Sequence, residues 1–465
     1  MENMKKSFKK IIYIKIGLFL LLILFFVKFM IWDRFDIISS PYNPRLRFMN
    51  ENVIRGEIKD QNGKVIAKTK KEGDKWIREY PYGADFIHIL GYESKIKTGM
   101  EAQKHFDLTS SKEPWYRKLK HLIWQEPFQG NNIKLTLNAD LQKKANQLMT
   151  GKKGAIVVIE PSTGKILSMV SYPNFNPYDL EQNWEILNQD TKNSPLLNRA
   201  TQGLYPPGSI FKLVTTVSAM QTDWWENFSY HCNGEALFNE TRLRCYNEKA
   251  HGDMDIHQAL IHSCNTTFAE IGVKVGGKEM RKTAEKLLFN YPIPGEIQCN
   301  NSTFAVNEFS SIEEIAETSI GQGKTLVTPF HMALIASAFA NQGILMQPYM
   351  VDSIENAMEK VIKKTIPKQI GMIIAPEIAE KIKSMMMDVV DIGTGRAAKI
   401  EGISVAGKTG TAENEQDQPH AWFIGFAPVE SPQVAVAVIV ENGGVGGKVA
   451  APIGKELIKD VVERR

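Results

Sequence analysis

The sequence predicts an α/β chain of the α+β kind: an antiparallel sheet carrying a helical cluster, preceded by a small β-rich module and one N-terminal membrane helix. Three observations carry this. Strand-like runs at Ile133–Leu137 and Gly154–Tyr172 are followed by helical periodicity from Ser209 to about Ala340, then by further strand-like runs and a last helix. Turn signals at Asn62-Gly63 and Pro161-Ser162-Thr163-Gly164 join neighbouring strands as hairpins. One apolar run near the N-terminus is long enough to cross a bilayer.

At roughly 150 residues per domain, 465 residues correspond to about three units. With 43% hydrophobic and 23% charged residues the chain is globular rather than disordered. The balance of 56 basic against 52 acidic residues, a net charge of +4, argues against a nucleic-acid partner, which calls for a basic excess. Four cysteines cannot form a dense disulfide framework, and a mean hydropathy of −0.23 excludes a polytopic membrane protein.

Ile11 to Trp32 reads IIYIKIGLFLLLILFFVKFMIW. As a helix it spans about 33 Å, against a bilayer core of about 30 Å. Lys15 and Lys28 lie near its ends and can snorkel. Lys5, Lys6, Lys9 and Lys10 precede it, so residues 1–10 are expected in the cytoplasm and the body outside. FMIWDRFDIISS offers no small-residue cut site and no lipoprotein cysteine. An uncleaved anchor at 11–32 is therefore expected over the alternative, a cleaved signal.

Residues 33–130 are lysine-rich, short on long apolar runs, and read as a membrane-proximal pedestal. Within them Arg55 to Lys68 reads as a hairpin around Asn62-Gly63, and Arg78 to Gln103 as short strands and loops. Residues 131–465 read as the main domain. Asp140–Met149 is expected to be helical, and the first strand of Gly154–Tyr172, nearly all apolar, suits a central position. Gly402–Ala406, Ala421–Phe426 and Gln433–Val440 read as strands, and Ala450–Arg465 as the last helix. There is no repeat or low-complexity stretch.

Three short motifs carry chemistry: Ser209-Ile-Phe-Lys212, Ser263-Cys264-Asn265 and Lys408-Thr409-Gly410-Thr411. Pro206-Pro207-Gly208 places Ser209 at or near a helix N-terminus, where free N–H groups and the dipole favour negative charge. Lys212, three residues on, shares its face. A serine hydroxyl is a weak nucleophile, but a desolvated lysine near a second cation falls in pKa and can take its proton. Lys408 can supply that second charge. Gly410 leaves room for a substrate backbone, and Thr409 and Thr411 can bind a carboxylate. The backbone N–H groups of Ser209 and Thr411 are expected to form an oxyanion hole. Each motif alone is common on solvated helix faces; their order and flanking residues together are not.

This motif set is the signature of penicillin-binding proteins and class A β-lactamases. The chain resembles a class B penicillin-binding protein, a monofunctional peptidoglycan D,D-transpeptidase, of the compact penicillin-binding protein A type. The resemblance runs from the anchor to the C-terminus and includes RGEIKDQNG, NRATQGLYPPGSIFK, SIGQG with VTPFHMALIASAFANQG, and HAWFIGFAP. It carries no extra C-terminal repeat domains. The resemblance implies a penicillin-binding/β-lactamase-like transpeptidase domain at 131–465 and acyl transfer from peptidoglycan stem peptides. Ser209 would attack the D-Ala–D-Ala carbonyl with Lys212 as base. Ser263 would relay a proton to the leaving D-Ala, and Asn265 would bind the substrate amide. An amine of a neighbouring stem peptide would resolve the acyl-enzyme. No catalytic cofactor is implied, and β-lactams would acylate Ser209 and stay. Class B members also partner polytopic SEDS-type glycosyltransferases, so a scaffold role is an alternative, as is a D,D-carboxypeptidase using water as acceptor.

Two neighbouring readings fit less well. A class A β-lactamase needs a deacylating glutamate in an E-x-x-L-N run; Glu285-Lys-Leu-Leu-Phe-Asn290 is one residue off. A bifunctional polymerase needs a glycosyltransferase domain for which the roughly 100 residues of the pedestal are too few.

The cysteines are Cys232, Cys245, Cys264 and Cys299. Outside the membrane an oxidised pair is the default, and Cys232–Cys245 encloses a short loop. The spacing C-x12-C-x5-H-x12-C over Cys232, Cys245, His251 and Cys264 is also that of zinc ligands, and some elongation-type relatives hold a metal at this place with other ligands. Free thiols are the third reading. Cys264 must point away from the nucleophile in each. His88, His121, His257 and His262 read as structural, Trp224-Trp225 as core or interface, and His420 and Trp422 as lining the cleft.

Overall fold

Five strands in the order Ala406–Ala412, His420–Ala427, Val434–Val440, Gly154–Ile159, Ile166–Tyr172 form the central sheet, antiparallel at every pair. The computed structural model from which this is read describes residues 2–29, 53–73, 75–92, 98–113, 116–117, 123–124, 127–414 and 418–464. Val434–Val440 and Gly154–Ile159 are buried throughout, as strands covered on both faces must be. Side chains alternate between two layers. Ile156, Val158, Val436, Val438 and Phe423 pack under the helices Gly446–Glu463 and Ala139–Met149. Ala155, Val157, Ala437, Ile439 and Ile424 pack on the other side, where Pro329–Ala340 crosses the sheet. That helix is buried all round, begins on a Thr328 cap bonded to the His331 N–H, and carries proline at its first turn.

Between Ile166–Tyr172 and Ala406–Ala412 the chain builds the helical cluster: Lys212–Ala219, Ile256–His262, Asn265–Val275, Gly277–Lys286, Ile312–Ser319 and Pro376–Asp391. Asp255 with Gln258 and Ser311 with Glu314 make reciprocal capping boxes that fix two of these starts.

A second sheet of six strands runs Val361–Lys364, Val351–Glu355, Asn132–Leu135, Ile58–Lys59, Val65–Glu72, Lys75–Glu79. Its strands come from both sides of residue 130, so the pedestal is sewn to the main domain by backbone hydrogen bonds. Ile58–Lys59 pairs in parallel with Asn132–Leu135, which pairs antiparallel with Val351–Glu355. The N-terminal helix Glu2–Lys28 contains Lys10–Lys28, long and apolar enough to cross a membrane, with a hydropathy of 2.5 and none of it buried against the protein. Residues 30–32 of the expected anchor, its flank through residue 52, and His121 lie outside the described residues.

Several elements differ from the sequence expectation. The Arg55–Lys68 hairpin turns over one residue more than a two-residue loop: Asp60 N–H bonds Lys64 O and Gly63 takes φ +85°, the three-residue turn with a bulge. Arg78–Gln103 holds helical turns at Gly83–Phe86, Ile87–Leu90 and Gly99–Gln103 where short strands are expected. The helical stretch from Ser209 is interrupted by a β-ribbon, Glu235–Phe238 with Thr241–Arg244, set on the pair Tyr230–Cys232 and Gly252–Met254. The strand expected at Gly402–Ala406 starts only at Ala406, because Gly402 turns the chain with φ +76°; it then runs through the third motif to Ala412. Ile344–Met346, Gln369–Met372 and Pro376–Asp391 are further elements that the motifs do not announce.

Because Phe330 is fully buried, Phe330→Ala is expected to cost about 3–5 kcal/mol in urea unfolding. Phe309→Ala, at a side chain 88% exposed, should stay within about 0.5 kcal/mol.

Candidate active site

The site begins with how closely the chain must approach itself before Ser209. Gly208 has φ +54°, and a Cβ there would sit 2.7 Å from Thr411 O. Gly321, φ +81°, would place a Cβ 2.0 Å from Gly208 O, and Gly208 N–H bonds Gly321 O at 2.9 Å. The segment ahead of Ser209 is thus wedged between the Ser319–Gly323 turn and the third-motif strand at distances that only glycine permits. Trp422 Nε1–H donates to Pro206 O at 3.0 Å, and Tyr205 pairs with Val327 through both backbone groups. The Tyr205 hydroxyl donates to Glu441 at 2.7 Å, which also holds Arg199 at 2.7 Å.

Ser209 lies in a single 3-10 turn, Gly208–Ile210, immediately ahead of Lys212–Ala219, as its expected place near a helix start requires. Half-buried, it faces a cleft of about 1010 Å³ together with Ser263, Asn265, Thr409 and Thr411. Its hydroxyl has no hydrogen-bond partner among the described residues. Phe211, stacked on Phe304 at 5.8 Å and edge-on to Phe289, anchors the turn from below.

Two fully buried amines meet at the second motif. Lys212 Nζ donates to Ser263 O at 2.7 Å, Asn265 Oδ1 at 2.7 Å and Ser263 Oγ at 3.3 Å. Lys408 Nζ donates to Ser263 Oγ at 2.8 Å and Thr409 O at 3.1 Å. Burial pushes the Lys212 amine down to about 8. Burial, helped by the Lys212 charge, holds Lys408 well below its ordinary value. Ser263 sits in the left-handed region at φ 54°, ending the helix Ile256–His262 so that its carbonyl and hydroxyl both face the amines. Asn265 opens the next helix and is pinned at both ends, its Nδ2 donating to Arg244 O at 2.7 Å.

Along the strand Ala406–Ala412, Thr409 and Thr411 face the cleft. Thr409 Oγ1 donates to Thr394 Oγ1 at 2.9 Å. Gly410 points the other way: a Cβ would come within 3.1 Å of Ile210 and Pro207 and 3.0 Å of Trp422. The expectation that Gly410 makes room for substrate is therefore corrected; its bareness lets the strand pack on the nucleophile turn. Trp422 and His420 do not line the cleft either. Trp422 is wholly buried and braces Pro206, while His420 packs edge-on against Tyr205. His262, expected to be structural, does line it. His257 pairs with Asp388 at 2.8 Å, and half-buried His88 meets Pro173 O at 3.4 Å. Glu285 pairs with Arg281 at 2.8 Å on the surface of its helix, away from the cleft.

Behind the second motif lie Cys232, Cys245, His251 and Cys264, whose ligand atoms all fall within 4.8 Å of one another. The expected Cys232–Cys245 disulfide is not formed: the sulfurs are 3.7 Å apart, and all four cysteines are free thiols. The ribbon brings Cys245 as near to Cys264, 3.6 Å, as to Cys232, so no single pair is singled out. Hydrogen bonds from Cys264 and Thr266 pull the Cys245 thiol down to about 6. Cys299 stands apart, beside Thr328.

Sequence reasoning missed Thr394, Arg244, Tyr205 and Glu441. The first two act through contacts that no local pattern marks. Tyr205 lies inside the LYPPGS run, and only the meaning of that flank went unread.

A serine in a cleft, with two desolvated lysines on a second hydroxyl beside it, is the equipment of a serine acyltransferase. Residues 154–459 match the penicillin binding protein transpeptidase domain, and 55–133 match the penicillin binding protein A dimerisation domain. The peptidoglycan D,D-transpeptidase PbpA of Mycolicibacterium smegmatis is 32% identical over 453 residues, spanning 90% of this chain and 91% of that protein. The enzyme of that name from Mycobacterium tuberculosis is 31% identical over 493 residues, spanning 99% of both. The structure of M. tuberculosis penicillin-binding protein A as a ceftriaxone acyl-enzyme superposes with a TM-score of 0.83 at 31% identity, covering 90% of this chain and all of that one. The chain belongs to the penicillin-binding protein transpeptidase family.

Gly321→Ala and Gly402→Ala both force alanine to a similar positive φ, but only Gly321 has backbone within clash distance. Gly402→Ala should cost about 1–2 kcal/mol, and Gly321→Ala clearly more, read as the difference in thermal midpoint. Equal costs would mean that the glycine contact does not hold the nucleophile turn.

Proposed function

We propose that this chain cross-links peptidoglycan as a D,D-transpeptidase, with Ser209 as nucleophile. The observation that carries the reading is the convergence of the Lys212 and Lys408 amines on Ser263 in the cleft that Ser209 faces. Neutral Lys212 takes the Ser209 proton as Oγ attacks the carbonyl of the penultimate D-Ala. The N–H groups of Ser209 and Thr411 receive the oxyanion. The C–N bond breaks, the proton passes through Ser263 to the leaving D-Ala amine, and an ester on Ser209 remains. A second stem peptide's amine attacks that ester, its proton returns through the same groups, and Ser209 is regenerated. Thr409 and Thr411 are suited to the terminal carboxylate of the donor, with the Lys408 side providing positive potential. Asn265, fixed at both ends, orients Lys212 and presents its remaining amide hydrogen to substrate. A β-lactam enters the same first step and leaves no departing group for an acceptor to follow.

The helix at Lys10–Lys28 would anchor the chain with residues 1–10 in the cytoplasm, the pedestal over 33–130 and the transpeptidase domain over 131–465 outside. Exposed Trp76 and Ile77 on the edge strand Lys75–Glu79 suit contact with a polytopic SEDS-type glycosyltransferase beside the anchor.

The sulfur cluster fits a structural zinc. A tetrahedral site with Zn–S near 2.3 Å puts sulfurs about 3.8 Å apart; Cys245 lies 3.7 Å from Cys232 and 3.6 Å from Cys264, and His251 Nδ1 lies 3.4 Å from the Cys232 sulfur. Hydrogen bonds from Gly234 N–H and Thr266 to Cys232, and from Thr267 to Cys264, supply the supporting donors that thiolates need. Cys232, Cys245, His251 and Cys264 would hold the ion, which would contribute cross-linking and no acyl chemistry.

Ser209→Ala should abolish covalent labelling by a fluorescent penicillin while the chain stays folded; persistent labelling would remove Ser209 from its role. Below its pKa Lys212 is an ammonium spending its three N–H groups on Ser263 and Asn265, with Lys408, the Phe268 ring and the Cys245 and Cys264 thiols around it. The acylation rate should therefore rise with pH through about 8 and then level off. Lys212→Arg, which cannot deprotonate, should lose roughly 10²–10⁴-fold and the pH dependence with it.

For the cluster, elemental analysis of the reduced, purified chain should find one zinc per chain, and a chelator should lower the thermal midpoint by several degrees. A metal-free chain with an unchanged midpoint would remove the zinc.

A further inference from the structure

The cations that line the cleft are not equivalent. Arg242 and Arg244 share Glu235 at 3.5 and 3.7 Å, and Arg244 also holds Glu248 at 2.7 Å. Lys249 and Arg396 are exposed and have no carboxylate within ion-pair distance among the described residues, Glu317 and Glu413 of the same cleft included. The turn that carries Arg396 is tied to two of the catalytic motifs. Thr394 N–H bonds Ile261 O at 3.3 Å, two residues ahead of Ser263. Thr409 Oγ1 donates to Thr394 Oγ1 at 2.9 Å. With the Thr409 hydrogen spent there, Thr394 keeps its own hydrogen for a ligand on the Arg396 side. The Lys249 and Arg396 charges both reach the His262 ring, which lies against His251 with centroids 5.9 Å apart. Two unpaired cations and a free hydroxyl donor thus share the wall that runs outward from Ser263 and Thr409.

We propose that Thr394, Arg396 and Lys249 form a second carboxylate subsite that selects the acceptor, an amine with a carboxylate on the same carbon. The inference rests on the transpeptidase reading above. The D-Ala that leaves is itself such an amine, and its nitrogen departs on the side where Ser263 delivers the proton. The acceptor nitrogen attacks the ester carbon from that side, by reversal of the same step. Its lone pair forms the C–N bond, the C–O bond to Ser209 breaks with its electron pair on Oγ, and the amine's proton passes through Ser263 to that oxygen. An acceptor shaped like the departed D-Ala turns its carboxylate toward Thr409 and Thr394. There the Arg396 guanidinium can take both oxygens, and Lys249 adds a second charge. An amine without the carboxylate presents nothing to these groups, and neither does water. The subsite therefore favours one class of amine over other amines and over hydrolysis. Because both cations are exposed, the preference weakens as salt is raised.

The test uses the full-length chain in detergent, an N-acyl-D-alanyl thioester as donor, and D-alanine or D-alaninamide as acceptor. The early ratio of amide to acid product, read by mass spectrometry, gives the partition of the acyl-enzyme between each amine and water. That ratio is internal to one preparation, so slow acylation or partial unfolding does not alter it. Arg396→Ala with Lys249→Ala is expected to lower the partition to D-alanine by about tenfold or more and to leave that to D-alaninamide within about twofold. Arg396→Lys, which keeps the charge and loses the fork, should fall between parent and double variant. Raising the salt should lower the D-alanine partition of the parent and leave that of the double variant where it is. An equal loss toward both amines would make these residues props of the cleft wall and overturn the subsite. So would an unchanged D-alanine partition, or a parent that hydrolyses the thioester and transfers to neither amine; each of these leaves Ser209 acylation standing. A parent that forms no acyl-enzyme from thioester or penicillin would remove the transpeptidase reading and the subsite with it.

Discussion

Two amines buried against one hydroxyl set the terms for the rest of this molecule. Among the described residues neither Lys212 nor Lys408 pairs with a carboxylate; their partners are neutral oxygens of Ser263, Asn265 and Thr409. An ammonium taken out of water without a counter-charge costs several kcal/mol, and a second one beside it adds repulsion. The cluster lowers that cost by letting a proton leave, which is why both lysines are shifted downward. A lysine that releases its proton near neutral pH is a base, and a remaining cation nearby is an electrostatic sink for an incoming carboxylate. Basicity and substrate attraction thus come from one burial event.

Keeping that event in place requires three distant stretches of chain to meet. The buried antiparallel sheet fixes Lys408, and the helix Lys212–Ala219 fixes its partner. Ser263 must accept a left-handed backbone that costs an ordinary residue roughly 1–2 kcal/mol. Its compensation is visible: Cys264 N–H bonds Ala259 O at 2.9 Å and closes the preceding helix, while Lys212 binds the Ser263 carbonyl. Ahead of Ser209 the same logic uses absence rather than contact. Gly208, Gly321 and Gly410 carry no side chain because backbone or a buried ring already occupies the space.

What the sequence made legible follows from this geometry. The reacting groups had to be serine, lysine and asparagine at short spacing, so Ser209, Lys212, Ser263, Asn265 and Lys408 could be read as candidates from local pattern. The central sheet was legible for a similar reason: Gly154–Ile159 and Val434–Val440 are buried on both faces and so are apolar throughout. Groups that act through space were not legible. Glu441 reaches Tyr205 across 236 positions, and nothing near it marks the partnership. Gly410 was misread because a strand's two faces cannot be assigned to cleft or core without knowing its neighbour. The ribbon between Tyr230 and Met254 was overlooked because its mixed, polar residues carry a weak period inside a strongly helical stretch.

That ribbon also explains why the cysteines stand where they do. A two-stranded hairpin alone is marginal in water; in this one Leu237 is 66% exposed and only Phe238 is buried. Little apolar area holds it, yet its Arg244 carbonyl must hold Asn265 in register with Lys212. The constraint has to come from the ribbon's neck, and the neck is where Cys232, Cys245 and His251 gather around Cys264. A cross-link there would fix the Asn265–Arg244 hydrogen bond that joins the ribbon to the second motif. Cys264, at the middle position of that motif with its side chain packed into the cluster, makes the conformation of Ser263 and Asn265 depend on the neck as well. How firmly the neck is held then bears on how firmly the two lysines are held to their shared hydroxyl.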